Sequence, residues 1–288
     1  MKNGVFKSRK FWDFAVQTSS GSLSPRTKFS SLKAFEVSLP KISEQEMLSD
    51  ISTKLSSVDS RIFELLNSSR CFIDSFIDSY VVSQVRNNKA DDYQDSRYGR
   101  IPEGWRIYEL KDVCELIIDC KNRTPKFYDD GVPVIRTSNI REGKIVWDDM
   151  KFTDENDYKI WTARGEPQCG DVIITREAPI GEVCLVPQDT RLCMGQRMML
   201  FRPNKAIVTS DFLRCACLSK FFQRQLLALA NGSTVGHVRV GELKKAKVIL
   251  PGLDLQRRLA EVFKELEKSH EILLEKSRSL TSVFEQIA

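Results

Sequence analysis

No stretch of the chain approaches the ~20 uncharged apolar residues that a membrane-spanning helix needs, and the opening MKNGVFKSRKFWDF has no apolar core of a secretory signal. A membrane role is excluded on this reading, and a cytoplasmic protein is expected. Histidine is scarce, with only His237 and His270, and the eight cysteines at 71, 114, 120, 169, 184, 193, 215 and 217 form no CxxC pair. A zinc cluster therefore lacks its ligand spacing, and reduced, mostly buried thiols are expected. The chain also lacks a GxxxxGK[ST] loop for ATP, an HExxH pair, and any Asn-Pro-Pro-aromatic or Asp-Pro-Pro-aromatic tetrad for adenine amino-methylation. No catalytic residue, cofactor or metal ligand is assigned, and the expectation is a non-catalytic protein. Charge of one sign is barely in excess: 44 Lys+Arg stand against 39 Asp+Glu, a net +5. So mild a balance argues only weakly for a nucleic-acid partner.

What the 288 residues do contain is an internal repeat. Residues 21–76 align with 232–287 at a constant offset and without a gap. Gly21-Ser22 meets Gly232-Ser233, Leu32-Lys33 meets Leu243-Lys244, Val37 meets Val248, and Leu39-Pro40 meets Leu250-Pro251. Gln45, Leu48, Leu55 and Glu64 then meet Gln256, Leu259, Leu266 and Glu275. So long a period describes two copies of one unit, a globular domain followed by a helix, and no solenoid.

Each copy ends in a heptad pattern. The first seam runs Leu48, Ile51, Leu55, Val58, Ile62, Leu65, Ser69, Phe72 and Phe76. The second runs Leu259, Val262, Leu266, Ser269, Leu273, Lys276, Leu280, Val283 and Ile287 in the same phase. Alternating steps of three and four predict two long helices, 44–86 and 254–288, that pack as an antiparallel coiled coil. Ser43 and Asp254 are expected as their N-caps. A plain core or dimerisation helix is the bland reading of either run.

Between the helices, a polar linker over 87–100 precedes one complete domain over 101–253, a normal domain length. Its predicted strands are 133–137, 144–147, 171–175, 182–186, 198–202 and 247–250, with a helix from Ser210-Asp211 through 229 stopped by Asn231-Gly232. The fold class is α+β. Residues 6–20 occupy the place of that last helix in the first copy, so 1–43 reads as the tail of a first domain. Cys215 and Cys217 are expected in the core, and Trp105 and Trp147 as packing residues.

The ordered motifs IPEGW (101–105), TP (124–125), GVPVIRTSNIREGKI (131–145), GDVIITREAPIG (170–181), NGS (231–233) and VILP (248–251), followed by a heptad helix, resemble the DNA-specificity subunits of type I restriction-modification enzymes. LPKISEQE (39–46) is similar to that family's link from recognition domain to helix; in LPGLDLQR (250–257), Leu255 stands where an acidic residue is usual. Such subunits normally carry two target recognition domains, and this chain has one plus the tail of another. The resemblance implies recognition without catalysis: each domain reads half of a bipartite site in double-stranded DNA. The paired helices set the gap and seat the modification (methyltransferase) subunits and the restriction (ATP-dependent translocase and endonuclease) subunits. A single recognition domain leaves two arrangements open, pairing with a second copy of the chain or complementation by a separate piece. A coiled-coil structural or regulatory protein is the alternative from a different class, and a non-functional gene remnant another.

Bases are read best by Arg, Asn and Gln, while Lys, Ser, Thr and backbone amides hold phosphates. The candidate DNA-contact residues are accordingly loop residues of those types. They are Lys121, Asn122, Arg123 and Thr124; Arg136, Thr137, Ser138, Asn139 and Arg141; Arg176; Gln196 and Arg197; and Ser233, Thr234, His237 and Arg239. For Arg136 and Arg176 a surface ion pair competes with that reading. The duplicated Gly-Ser at Ser233 fits a turn that joins helix to strand better than a base reader, and for His237 a solvent-facing loop competes with DNA contact.

Overall fold

The computed structural model describes residues 9–20, 26–36, 41–81, 93–96, 98–121, 123–230 and 236–287. They divide into two compact units, Met1–Phe72 with Leu266–Ala288, and Ile73–Glu265. In chain order the first unit holds helix α1 (Arg9–Gln17), the short antiparallel pair β1 (Ser19–Ser20) and β2 (Arg26–Thr27), α2 (Phe29–Leu32) and the start of α3 (Ile42–Val81). The ring of Phe35 packs on Phe11 and Phe14, at centroid separations of 5.5 and 5.2 Å. The expected helix over 6–20 is thus present from Arg9 to Gln17 and gives way to strand at Ser19.

The second unit takes in the end of α3 and then a hairpin, β3 (Tyr93–Ser96) and β4 (Gly99–Pro102), most of which falls in what the polar composition predicts as a plain linker. There follow β5 (Arg106–Glu109), β6 (Cys114–Asp119), β7 (Val132–Ile135), β8 (Ile140–Arg141), β9 (Lys144–Ile145), β10 (Lys151–Thr153) and α4 (Glu155–Trp161). The chain continues through β11 (Val172–Arg176), β12 (Ile180–Leu185), β13 (Cys193–Met194), β14 (Met198–Pro203), α5 (Ser210–Leu218), α6 (Lys220–Ala230), α7 (Val240–Lys245), β15 (Lys247–Leu250) and α8 (Leu253–Ile287). The main sheet is antiparallel in the order β12-β11-β14-β6, and beside it lie β10-β7-β13 and β15-β5. Ile173 sits opposite Leu200 and Cys184, and Leu200 opposite Ile118. These four and Ile135 belong to one buried cluster. The continuous apolar runs VIIT and MMLF suit the two inner strands, which are covered on both faces. The α+β expectation holds.

The repeat acquires a physical meaning here. In the second copy the matched residues Leu243, Val248, Leu250, Gln256 and Leu259 are all buried. Gln256 accepts from Thr209 N (2.9 Å) and donates to Ile207 O (2.9 Å) and Pro251 O (2.8 Å). The duplicated pattern is the joint that fastens a helix, a strand and the start of the long helix.

Several expectations need correction. Ser43 and Asp254 fall inside the first turns, because the long helices start at Ile42 and Leu253. At the first of these, Lys41 N donates to Glu44 Oε2 at 3.1 Å, the reach-back of a capping box. The helix expected from Ser210 to 229 breaks at Ser219, which is extended, and Thr209 caps its first half by accepting from Phe212 N. Asn231-Gly232 lies outside the described residues. Trp105 is buried, whereas Trp147 is 48% exposed and is no packing residue. Cys120, Cys184, Cys193, Cys215 and Cys217 are buried, Cys114 is half-buried, and Cys71 and Cys169 are exposed.

The heptad seam is displaced. Leu65 and Phe72 are 54% and 58% exposed, and Val58 is exposed as well, while their neighbours Leu66 and Ile73 are the covered residues. In α8, Val262 and Val283 are exposed and Phe263 is buried; Leu266, His270, Leu273, Ser277 and Leu280 are half-buried. One position of each heptad is therefore as expected (48, 55 and 62; 259, 266, 273 and 280), and the other is shifted by one residue. Ile51 is half-buried, on the margin of the covered face. Where Leu-Leu and Phe-Ile pairs offer two adjacent apolar residues, spacing alone cannot choose between them. Within the first unit, Ser69 Oγ and His270 Nδ1 are hydrogen-bonded at 2.6 Å.

Candidate nucleic-acid interface

Five segments distant in sequence are stitched together at one rim of the second unit. Cys120, just past β6, takes its place by donating its backbone N–H to Met198 O (3.3 Å). Its Sγ accepts from Arg197 N at 3.1 Å. Arg176 N donates to Arg197 O (2.8 Å), and Val238 N donates to Arg176 O (3.1 Å). Gly195 N donates to Ile135 O at 2.9 Å, so close that a Cβ on Gly195 would stand 2.7 Å from that oxygen. Only glycine fits there. Gln196 Nε2 donates to Thr124 Oγ1 at 2.8 Å, joining the 121–124 loop to the 195–197 turn. The candidate groups around 121–124, 136–141, 176, 195–197 and 237–239 are thereby neighbours.

Some of these side chains are spent inside the protein. Asn139 is 1% exposed. Its Oδ1 accepts from Arg136 N and Nε (3.2 and 3.1 Å), and its Nδ2 donates to Val146 O and Asp148 O (3.1 and 3.2 Å). All of its amide valence holds the 136–148 turn. Arg136 also donates to Asp149 O and pairs with the Asp149 carboxylate at 3.1 Å. Lys151 foremost, then Arg136, hold that carboxyl below its ordinary pKa by hydrogen bonding to it. Arg141 Nη1 donates to Thr137 O and Ile140 O. Arg176 is 5% exposed, with its guanidinium 3.1 Å from Asp119 Oδ1 and donating to Val238 O at 3.3 Å. A cation so buried and so occupied orders the 119–124 and 236–239 segments against each other.

Others face outward. Arg123, Thr124, Ser138, Arg197 and Arg239 are exposed, and Lys121, Thr137, Gln196 and His237 are half-buried. Arg197 has φ 69°, a conformation that a non-glycine residue holds only when its surroundings enforce it. Its Nε lies 3.2 Å from Glu177 Oε1, and Glu177 Oε2 lies 3.3 Å from His237 Nδ1. Asn122, Ser233 and Thr234 lie outside the described residues. The acidic partners Asp119, Asp149 and Glu177 gave no signal in the sequence, nor did Trp161 and Arg164, which flank the rim on and beyond α4. Among the described residues no group of three or more His, Cys, Asp or Glu is placed to hold a metal ion, and no helix is long and apolar enough to cross a membrane.

Residues 102–282 match the family model of the type I restriction modification DNA specificity domain. The MjaVIII specificity subunit of a type I restriction enzyme from Methanocaldococcus jannaschii is 26% identical over 252 residues, covering 83% of this chain and 58% of that protein. The EcoKI specificity subunit from Escherichia coli K12 is 25% identical over 197 residues, covering 66% of this chain and 40% of its own. The chain thus spans about half the length of the curated relatives it matches. The crystal structure of the HsdS subunit from Thermoanaerobacter tengcongensis aligns over 99% of this chain and 67% of its own, with a TM-score of 0.51 at 16% identity. A structure described in terms of the assembly and conformational transition of a type I R-M system aligns over 99% of this chain and 69% of its own, with a TM-score of 0.61 at 16% identity. The match over most of the chain's length settles its membership: this protein belongs to the type I restriction modification DNA specificity family.

Proposed function

We propose that the chain is a non-catalytic DNA-recognition component that reads one half of a bipartite double-stranded site through the rim described above. The observation that carries this reading is the convergence of five separate loop segments, with exposed Arg123, Ser138, Arg197 and Arg239 among them, onto one basic and amide-rich edge. Arg and Gln side chains on a rigid frame are what major-groove readout requires. The names of the relatives support it, since each is a specificity subunit of a type I restriction enzyme.

The long helices are the proposed seat of modification and restriction subunits in the cytoplasm, packed on each other as a coiled coil. A second copy of the chain is the proposed source of the other half-site reader. What favours this partner is an apolar row on α3, Val58, Leu65 and Phe72, spaced by heptads and exposed. Co-expression with a cognate modification subunit in a methylation-free host, followed by single-molecule mapping of adenine methylation, tests the proposal. A palindromic bipartite motif is expected. An asymmetric motif would remove the second copy, and absence of methylation beside an active modification subunit would remove the recognition role.

A further inference from the structure

The cleft between the end of β6 and α4 has a volume of about 390 Å³ and is lined by Asp119, Lys121, Arg123, Trp161 and Arg164 among others. Three cations thus converge on one concavity, and among the described residues none of the three is paired with a carboxylate. The one acid of the lining, Asp119, is already engaged by Arg176 at 3.1 Å. The cations are nonetheless held in place. Trp161 Nε1 donates to Arg123 O (3.2 Å), Lys121 Nζ sits 5.4 Å from the centroid of the Trp161 ring, and Arg164 Nη1 donates to Asp119 O (3.4 Å). One tryptophan therefore fixes the backbone at Arg123 and carries Lys121 on its face.

From this geometry we infer that the cleft seats a phosphate of the DNA backbone, and that Lys121, Arg123 and Arg164 anchor the duplex without reading its sequence. The inference rests on the recognition role proposed above and divides that surface into an anchoring part and a reading part. Three cationic donors against a single carboxylate, itself beside Arg176, leave a net positive cleft that matches a phosphate, whose oxygens only accept and whose charge offsets theirs. Adenine and cytosine present amino donors on their major-groove edges, which three cations repel, whereas a phosphate presents acceptors on every side. Trp161 is a positioning residue, since its ring is covered by Lys121 and serves no base as a stacking face.

The test uses the full chain, two duplexes of equal length and unrelated sequence, and KCl titrations of wild type, Arg164→Gln and the double variant Arg123→Gln with Arg164→Gln. Both arginines are exposed, so an unchanged melting temperature is expected and serves as the folding control. Affinity should fall by about tenfold per cation removed, equally for both duplexes, and the log–log salt slope should become shallower by about one per cation. A loss confined to one sequence with an unchanged slope would make these residues base readers and overturn the inference, as would no loss at all. Equal wild-type binding to a methylation-mapped motif and an unrelated duplex would instead sink the recognition role, while the slopes still decide the cleft.

Discussion

At the scale of single residues, the rim divides into side chains that build it and side chains that it displays. Asn139 builds. Replacing it by alanine leaves Val146 O and Asp148 O without their side-chain donor, and about 2 kcal/mol of stability should be lost in urea denaturation. Arg176→Met should cost more, about 3 kcal/mol, because it abandons Asp119 beside a largely buried site; thermal melting and denaturant curves measure it. Thiol reactivity reports the same distinction between inside and outside. Burial pushes Cys193 up to about 12, does the same to Cys114 with a smaller contribution from Asp171, and drives Cys184 and Cys217 up as well. At neutral pH iodoacetamide should label Cys71 and Cys169 first, as mass spectrometry of the intact chain would show.

At the scale of elements, the pairing of β5 with β15 carries its own acid sensitivity. Glu109 is held at about 2 by its hydrogen bonds to Lys111 and Lys247, against an ordinary 4.5. A depressed carboxyl contributes stability that is present above 4.5 and fades as pH falls toward 2. Glu109→Gln should therefore weaken the protein at neutral pH and flatten that acid limb of the stability profile. The long helices can be interrogated by adjacent substitutions. Leu66→Lys should destabilise the first unit by about 2 kcal/mol, whereas Leu65→Lys, on the exposed row, should leave its stability within about 0.5 kcal/mol when both are compared at concentrations dilute enough to keep the chain monomeric.

These elements also show what a sequence makes legible. Heptad spacing placed the starts of both helices within two residues of Ile42 and Leu253, because periodicity survives without knowledge of neighbours. It misjudged Leu65 and Phe72 because their successors are apolar too, and only a packing partner decides between them. The loop segments chosen by residue type lie beside one another at the rim, yet Asn139 and Arg176 turned out to be internal. Their partners, Val146 O, Asp148 O, Asp119 and Val238 O, are largely backbone atoms or acids that no motif announces.

At the scale of the whole molecule, a net charge of only +5 means that the proposed affinity for DNA would depend on where the cations stand more than on how many there are. The exposed row on α3 bears on assembly. Sedimentation should reveal a self-associated chain, and Leu65→Glu with Phe72→Glu should return it to a folded monomer whose melting temperature no longer rises with protein concentration. Finally, the rim's joints run through main-chain groups, from Arg176 N to Arg197 O, from Val238 N to Arg176 O, and from Gly195 N to Ile135 O. Such joints are indifferent to which side chain projects beside them. Outward residues such as Arg123, Ser138 and Arg239 can therefore be rewritten while the scaffold persists, and under the proposed recognition role new targets would arise by respelling a few letters of one fixed frame.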